Sequence, residues 1–185
     1  MKFLMAAAVC LLLAPRMALA TEPLWVSSAA DSELGFSVWY EGEELPGRFG
    51  QFETRLELDQ SGEPHALTVA VEVASADMND RQINQELGKP EWFDSAAFPR
   101  AVFSSSDIRR AGAGYRAVGL LQLKGIDKAL EIPLEWRRDG DSAMLSGAVV
   151  LMRRDWQIGS GEWASDASLA DRVELRYRVT LIHRR

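Results

Sequence analysis

The sequence predicts an all-β protein of eight antiparallel strands with one short helix at about residues 79–88. Three observations carry this prediction. Apolar and polar residues alternate with a period of two along most of the chain, short turn signals separate the alternating runs, and a single segment departs from the alternation. An alternating strand buries one face and exposes the other, and short connections favour antiparallel neighbours.

The alternation is clearest at residues 52–59, where Phe, Thr and Leu residues on one face oppose Glu, Arg and Asp residues on the other. We expect the apolar faces to point inward and the charged faces outward, because an unpaired charge in an apolar interior is costly. Pro133 predicts a sheet edge or a bulge within its run. The eight predicted strands span residues 34–40, 52–59, 67–73, 101–109, 115–124, 129–137, 143–153 and 172–182.

The helix is predicted from the segment 79–88. Asn79 and Asp80 offer a capping residue, Ile83 and Leu87 are four residues apart on one helical face, and Gly88 is a typical stop. Eight one-sided strands form either a two-sheet sandwich or a closed barrel, and strand count does not choose between them. A barrel of about eight strands holds either packed side chains or one slim ligand.

Residues 1–20 have the pattern of a secretory signal peptide. Lys2 precedes an apolar run, and Ala18-Leu19-Ala20 resembles a cleavage site, so residues 21–185 are predicted to form one secreted domain. The formal charge of the whole chain is −6, and loss of Lys2 and Arg16 makes the mature chain more acidic by two units. An acidic protein is a poor match for nucleic acid, so no nucleic-acid partner is expected.

Catalytic and metal-binding motifs are scarce. There is no nucleophile elbow and no glycine-rich phosphate loop, and His65 and His183 lack the spacing of metal ligands. We therefore expect a protein without catalytic residues and without a metal. The carboxylates of Asp155 and Glu162 leave a hydrolase as the remaining catalytic alternative, which requires the two groups to converge in one cleft.

The sequence contains six tryptophans and seven phenylalanines, enough large apolar side chains to line a cavity. Each candidate packs either as solid core or as the wall of a tunnel. Trp92, Phe93 and Phe98 follow the helix, so we expect them to seal or gate one barrel end, or to fill a small core under a loop. The other candidate ligand-binding residues are Phe36, Val38, Tyr40, Phe52, Leu56, Val69, Val71, Phe103, Leu121, Leu134, Trp136, Val149, Trp156 and Ile158.

Several short stretches follow one another along the chain. They are SELGF at 32–36, GRF at 47–49 with Phe52, WFD at 92–94 followed by Phe98-Pro99 and FSS at 103–105, GLLQLKG at 119–125, RDWQIG at 154–159, and Val173. Together these stretches resemble the YceI-like family. The resemblance implies a lipocalin-like antiparallel barrel in the bacterial periplasm. It also implies that the lumen binds a polyisoprenoid or a similar amphiphile, with no other cofactor.

The stretch GSGEWA at 159–164 is similar to a branch of that family associated with cytochrome b561-type membrane proteins. This similarity implies a quinone-like ligand or a redox partner. A non-catalytic accessory module that docks on a membrane cytochrome is therefore the alternative function, and it predicts an exposed apolar patch around Trp163. The sequence departs from the family at Asp31, where a histidine is common, and at Ile83-Asn84, where a charged Arg-Asp pair is common.

Overall fold

The computed structural model describes residues 24–27, 31–165 and 167–184, so the predicted signal peptide at residues 1–20 lies outside the described residues. The described residues include one α-helix, α1 (Arg81–Leu87), and short 3-10 turns at Val73–Ser75, Arg153–Trp156 and Gly161–Trp163. The strands, in chain order, are β1 (Leu24–Ser27), β2 (Glu33–Tyr40), β3 (Glu43–Phe49), β4 (Phe52–Leu58), β5 (Pro64–Glu72), β6 (Ala76–Asp77), β7 (Arg100–Ala111), β8 (Gly114–Leu123), β9 (Ile126–Asp139), β10 (Ser142–Met152) and β11 (Leu169–Arg184).

The strands close into a barrel. Antiparallel neighbours follow one another in the order β1, β4, β5, β7, β8, β9, β10 and β11, and β11 pairs back with β1. This closing pair joins Leu24 to Arg184 and Ser27 to Leu181. The predicted eight-stranded antiparallel barrel is confirmed. Closure gives the backbone groups of these terminal strands a partner, which an open sandwich would leave at a sheet edge.

Three of the eight barrel strands are each divided into two segments, which accounts for the eleven segments. Both β1 and β2 lie along β11, with Ser27 opposite Leu181 and Val38 opposite Val173. In the same way, β3 continues the line of β4, and β6 continues the line of β5. The alternation did not predict β3, because Pro46 and Gly47 interrupt it. A side chain on Gly47 would overlap the ring of Phe36, so this glycine is required by packing.

The expected orientation of the strand faces is confirmed in β4. In β4, Thr54, Leu56 and Leu58 are buried, whereas Glu53, Arg55 and Glu57 are exposed. The core therefore occupies the barrel interior. Burial of a leucine side chain contributes about 1.5–3 kcal/mol, so this face supplies much of the stability of the strand.

The barrel wall has a break in its hydrogen-bond ladder between β9 and β10. The pairing of these strands ends at Glu135 and Ser146. Pro133 lies two residues further along β9, and its missing N–H fits the predicted edge. The Tyr177 hydroxyl crosses this break over Gly147 and donates to the carbonyl oxygen of Pro133. Tyr177 therefore closes part of the wall that the backbone leaves unpaired.

Helix α1 is shorter than predicted. It begins after Asp80, whose carboxylate accepts hydrogen bonds from the backbone N–H groups of Gln82 and Ile83 at 2.7 and 3.1 Å. Such a cap satisfies amide groups that lack a partner in the first turn. Gly88 occupies the C-cap position, where the helix stop was expected.

Candidate functional site

A cavity of about 630 Å³ lies inside the barrel at the end covered by α1. We call it the outer cavity. It opens beside Tyr40 and Ile83, since both side chains line it and are 37% and 38% exposed. Its wall is largely aliphatic and aromatic. The lining residues are Leu34, Phe36, Val38, Tyr40, Leu45, Phe49, Val71, Val73, Met78, Ile83, Glu86, Leu87, Trp92, Phe93, Ala101, Leu121, Leu123, Leu151, Arg153, Trp156, Ile158, Glu162, Trp163, Leu169, Val173 and Leu175.

A second cavity, of about 90 Å³, lies deeper in the barrel, and we call it the inner cavity. It shares six wall residues with the outer cavity, so the two follow one another along the lumen. These shared residues form a junction and are Leu34, Val71, Ala101, Leu121, Leu151 and Leu175. The rest of the inner wall is Phe52, Thr54, Leu67, Val69, Phe103, Leu130, Ile132, Leu134, Leu145, Val149, Tyr177 and Val179.

The inner cavity contains one polar side-chain atom without a partner. The Thr54 hydroxyl is buried and has no hydrogen-bond partner among the described residues. The Tyr177 hydroxyl, in contrast, donates to the carbonyl of Pro133. Burial raises the pKa of Tyr177, so this hydroxyl stays protonated and donating. The inner wall therefore offers apolar contact almost throughout.

The barrel end opposite α1 is closed by aromatic packing. Trp25 is completely buried, and its ring meets that of Trp136 edge to face at 5.4 Å between centroids. The guanidinium of Arg138 lies 5.2 Å from the Trp25 ring centroid. Neither tryptophan lines the outer or the inner cavity. A ligand in the lumen therefore has its opening at the α1 end.

Most of the candidate residues from the sequence come together around these two cavities. Seven line the outer cavity alone: Phe36, Val38, Tyr40, Trp92, Phe93, Trp156 and Ile158. Five line the inner cavity alone: Phe52, Val69, Phe103, Leu134 and Val149. Val71 and Leu121 line both.

Leu56, Phe98 and Trp136 lie outside both cavities. Leu56 points inward but is packed in solid core beyond the inner cavity, with none of its surface exposed. Phe98 is 36% exposed on the outside, where its ring lies over Gly125 in the turn between β8 and β9. Trp136 packs against Trp25 at the closed end.

Several lining residues lie on elements that the alternation of apolar and polar residues does not predict. Leu45 and Phe49 are on β3, and Leu169 begins β11 earlier than predicted. Ile83 and Leu87 could have been identified from the sequence, because they are four residues apart on a predicted helix and so lie on the same face. Their side chains indeed line the mouth of the cavity.

Helix α1 is tied to the barrel by hydrogen bonds at the position where the family commonly has a charged pair. The Asn84 side-chain amide donates to Asp77 at 2.9 Å and accepts from the Met78 N–H at 2.8 Å. Arg48 on β3 adds an ion pair to Asp77 at 3.2 Å. Asn84 therefore fixes α1 over the mouth by donating to the Asp77 carboxylate and accepting from a backbone N–H.

Arg153 anchors the segment that carries Trp163. Its guanidinium is buried and donates to six backbone carbonyl groups at 2.7–3.1 Å. These belong to Ala170, Ile158, Gly159, Trp163, Ser165 and Leu169. The N–H groups of Gly159 and Ser160 in turn donate to the carbonyl of Glu91, at 2.8 and 2.9 Å. The Trp163 and Trp92 segments are thus joined across the mouth.

The hydrolase alternative requires Asp155 and Glu162 in one cleft. Glu162 lines the outer cavity, whereas Asp155 is exposed, lies outside its wall and is 3.9 Å from the Lys128 ammonium. Within the described ranges, no group of three or more His, Cys, Asp or Glu side chains could hold a metal ion.

The part of the chain that the structure describes also lacks a helix long and apolar enough to cross a membrane.

Solved structures share this barrel. BcnA of Burkholderia cenocepacia superimposes with a TM-score of 0.79 at 25% identity, covering 83% of this chain and 98% of BcnA. A polyisoprenoid binding domain from Saccharophagus degradans, implicated in plant cell wall breakdown, gives 0.67 at 12% identity over 89% of this chain and 100% of that one. The YCEI protein of Campylobacter jejuni gives 0.69 at 16% identity, covering 77% of this chain and 86% of that one. The last two show similarity of fold.

Sequence relatives agree with the fold. A UPF0312 protein of Photorhabdus laumondii is 27% identical over 151 residues, which cover 76% of this chain and 79% of that protein. A UPF0312 protein of Yersinia enterocolitica is 29% identical over 101 residues, so the match spans 54% of this chain and about half, 49%, of the relative. The family model described as a YceI-like domain matches residues 25–181. This protein therefore belongs to the YceI-like domain family.

Proposed function

We propose that this protein is a carrier that holds an isoprenoid-tailed lipid or a quinone-like amphiphile in the barrel lumen. The observation that carries the proposal is the apolar outer cavity of about 630 Å³, which continues through a shared junction into the inner cavity. Its volume lies in the range of small-molecule sites, about 300–1,000 Å³. A tail enters at the α1 end and points toward the closed end at Trp25.

Burial of the tail supplies the binding energy. Each buried CH₂ contributes about 0.8 kcal/mol, so a five-carbon isoprene unit contributes roughly 3 kcal/mol before ordering costs are subtracted. Two or three units reach useful affinity without a polar contact. A wall that is apolar almost throughout therefore suits recognition by tail width and length.

We further propose that the carrier works in the periplasm. The support is the signal-like pattern of residues 1–20 and the acidic composition of the rest of the chain. The polyisoprenoid binding domain of Saccharophagus degradans, which shares the fold, supports the choice of ligand class.

Docking on a membrane cytochrome of the b561 type is the second candidate function. The observation that favours it is the apolar surface at the mouth, where Tyr40 and Ile83 are more than one third exposed and Tyr40 lies 6.3 Å from Trp163 between ring centroids. Trp163→Ala is expected to reduce capture of the cytochrome from detergent-solubilised membranes. Trp136→Phe, at the closed end, is the matched aromatic control and is expected to leave capture unchanged.

The carrier proposal is tested by extraction of the native ligand. The protein is purified from a bacterial periplasm, extracted with organic solvent and analysed by mass spectrometry, and a prenyl-tailed molecule is expected in about one copy per chain. Ala101→Phe fills the junction, so it is expected to lose the longest tails, whereas Trp136→Phe retains them. Protein without extractable lipid that also fails to bind added prenols would contradict the proposal.

A further inference from the structure

The mouth of the outer cavity is built from aromatic rings. Trp163 lies 5.8 Å from Trp92 and 6.3 Å from Tyr40, measured between ring centroids, and all three side chains line the cavity. Aromatic faces attract cations, and rows of such rings are the usual receptors for quaternary ammonium groups. The rings therefore offer more than apolar contact to the head group of a bound amphiphile.

Carboxylates stand beside these rings. Glu86 and Glu162 both line the outer cavity, and both are exposed. Glu86 forms an ion pair with Lys89 at 2.5 Å. Glu162 directly precedes Trp163, and no cation among the described residues pairs with it. Its negative charge is thus available to a ligand that emerges from the cavity.

Cationic partners for an anionic head group are scarce in the wall of the outer cavity. Arg153 is the one cationic side chain among the described residues that line the outer cavity. A guanidinium has five N–H donors, and those of Arg153 face six backbone carbonyl oxygens. A phosphate needs at least two such donors for bidentate binding. Arg153 is already committed to holding the Trp163 segment.

We propose that the mouth selects amphiphiles with a cationic, ammonium-type head group over those with a phosphate, with Glu162 as the specificity-determining residue. This inference rests on the carrier function proposed above, because the tail must first occupy the lumen. The cation is held between the Tyr40–Trp163–Trp92 row and the Glu162 carboxylate. A phosphate at the same place meets the like charge of Glu162, and Arg153, the one cationic side chain among the described residues that line the cavity, already donates to backbone carbonyl groups. A neutral head group binds through its tail alone.

Three ligands that share the same decyl tail and differ only in the head group test the proposal. Decyltrimethylammonium, 1-decanol and decyl phosphate are titrated by calorimetry below their micelle concentrations. The ammonium ligand is expected to bind about tenfold more tightly than the phosphate, since a cation–π contact and one ion pair act together. Glu162→Gln is expected to narrow this ratio while the affinity for decanol stays constant. Added salt narrows the ratio as well.

Glu53→Gln is the matched control, since Glu53 is an exposed carboxylate on the outer face of β4. It is expected to leave all three affinities unchanged. Equal binding of the three ligands, or tighter binding of the phosphate, would overturn the head-group inference while the carrier function stands. If none of the three binds and prenols do not bind either, the carrier proposal itself fails.

Discussion

Trp25 and Trp136 meet edge to face, with ring centroids 5.4 Å apart, at the barrel end opposite α1. This pair gives the lumen a floor, because both rings lie beyond the outer and inner cavities and Trp25 has no exposed surface. The barrel is therefore a tube with one opening rather than a channel with two. The floor is packed side chain against side chain, and the cavities lie toward the α1 end.

Trp136→Ala separates these two roles. The substitution is expected to lower the free energy of unfolding by about 3 kcal/mol, since it removes a large side chain from a packed aromatic pair. The affinity for prenols is expected to remain within about twofold of the wild type, because Trp136 lies outside both cavities. Denaturant unfolding and a prenol titration on the same preparation check both values. A large loss of affinity in a folded variant would place Trp136 in the binding wall.

Gly147 and Tyr177 form a second test, at the break between β9 and β10. A methyl group on Gly147 would overlap the Tyr177 hydroxyl and lie 2.5 Å from the Pro133 carbonyl oxygen. Gly147→Ala is expected to destabilise the protein by about 1–3 kcal/mol through overpacking. Tyr177→Phe alone is expected to cost about 1 kcal/mol for the lost hydrogen bond.

The double variant reports on the coupling between these residues. Removal of the hydroxyl relieves one close contact of the new methyl group, while the contacts with the Pro133 carbonyl oxygen and the aromatic ring stay. The cost of Gly147→Ala is therefore expected to shrink in part in the Tyr177→Phe background. Equilibrium unfolding of the four proteins in the cycle measures the coupling. Strictly additive costs would show that the methyl group does not meet the hydroxyl.

Much of the fold follows from the period-two pattern, and the exceptions have physical causes. β4 alternates without interruption, so both its existence and its buried face were predictable. β3 was hidden by Pro46 and Gly47, and β1 has only four residues, too few to show a period. Closure of the barrel depends on that short strand. The strand pattern alone therefore did not distinguish a closed barrel from a two-sheet sandwich.

The cavity wall was predictable in part for a similar reason. Alternation tells which side chains point inward, but it does not tell how deep they lie along the barrel axis. Phe103 and Leu56 both point inward, yet Phe103 lines the inner cavity and Leu56 lies in solid core. The burial of Arg153 could not be predicted from the alternation. Its guanidinium is buried because it binds carbonyl groups of a loop that ends sixteen residues later at Leu169.

Thr54 tests the polarity of the inner cavity. Burial of a hydroxyl without a partner costs about 1–3 kcal/mol, so the isosteric change Thr54→Val is expected to stabilise the protein by about 1 kcal/mol. Thr54→Ser keeps the hydroxyl but loses a methyl group, and it is expected to destabilise by a similar amount. Shifts of the denaturation midpoint at constant slope measure both changes. A destabilised valine variant would mean that an ordered water satisfies the Thr54 hydroxyl.

The lowered pKa of Asp77 leads to a prediction of how acid affects α1, the helix that covers the outer cavity. Hydrogen bonds from the Asn84 side chain and the Asn79 N–H, together with Arg48, hold the pKa of Asp77 below its usual range. A lowered pKa in the folded state contributes stability that is complete above the unfolded pKa of about 4 and is lost as pH falls through the folded value. Below about pH 4, α1 is therefore expected to loosen from the barrel.

Hydrogen exchange of the α1 amides across this pH range measures the effect. Asp77→Asn removes the titrating group, so the acid-dependent increase in α1 exchange is expected to flatten. Asp59→Asn is the control, because the pKa of Asp59 is also lowered, by the Ser61 side chain and the Glu63 N–H, in a turn at the closed end. This control is expected to leave α1 exchange unchanged. If hydrogen exchange of α1 in Asp77→Asn increases with acid as much as in the wild type, other carboxylates cause the increase.

The most direct test of the lumen as a tail-binding site is a series of prenols of increasing length, titrated against the wild type and Ala101→Phe. Affinity is expected to rise with each added isoprene unit, by at most roughly 3 kcal/mol, until the tail fills both cavities. Ala101 lines the junction, so Ala101→Phe is expected to reach its plateau at a shorter tail while its unfolding midpoint stays near that of the wild type. Affinity that is independent of tail length, or identical plateaus in the two proteins, would contradict the binding of a tail along the lumen.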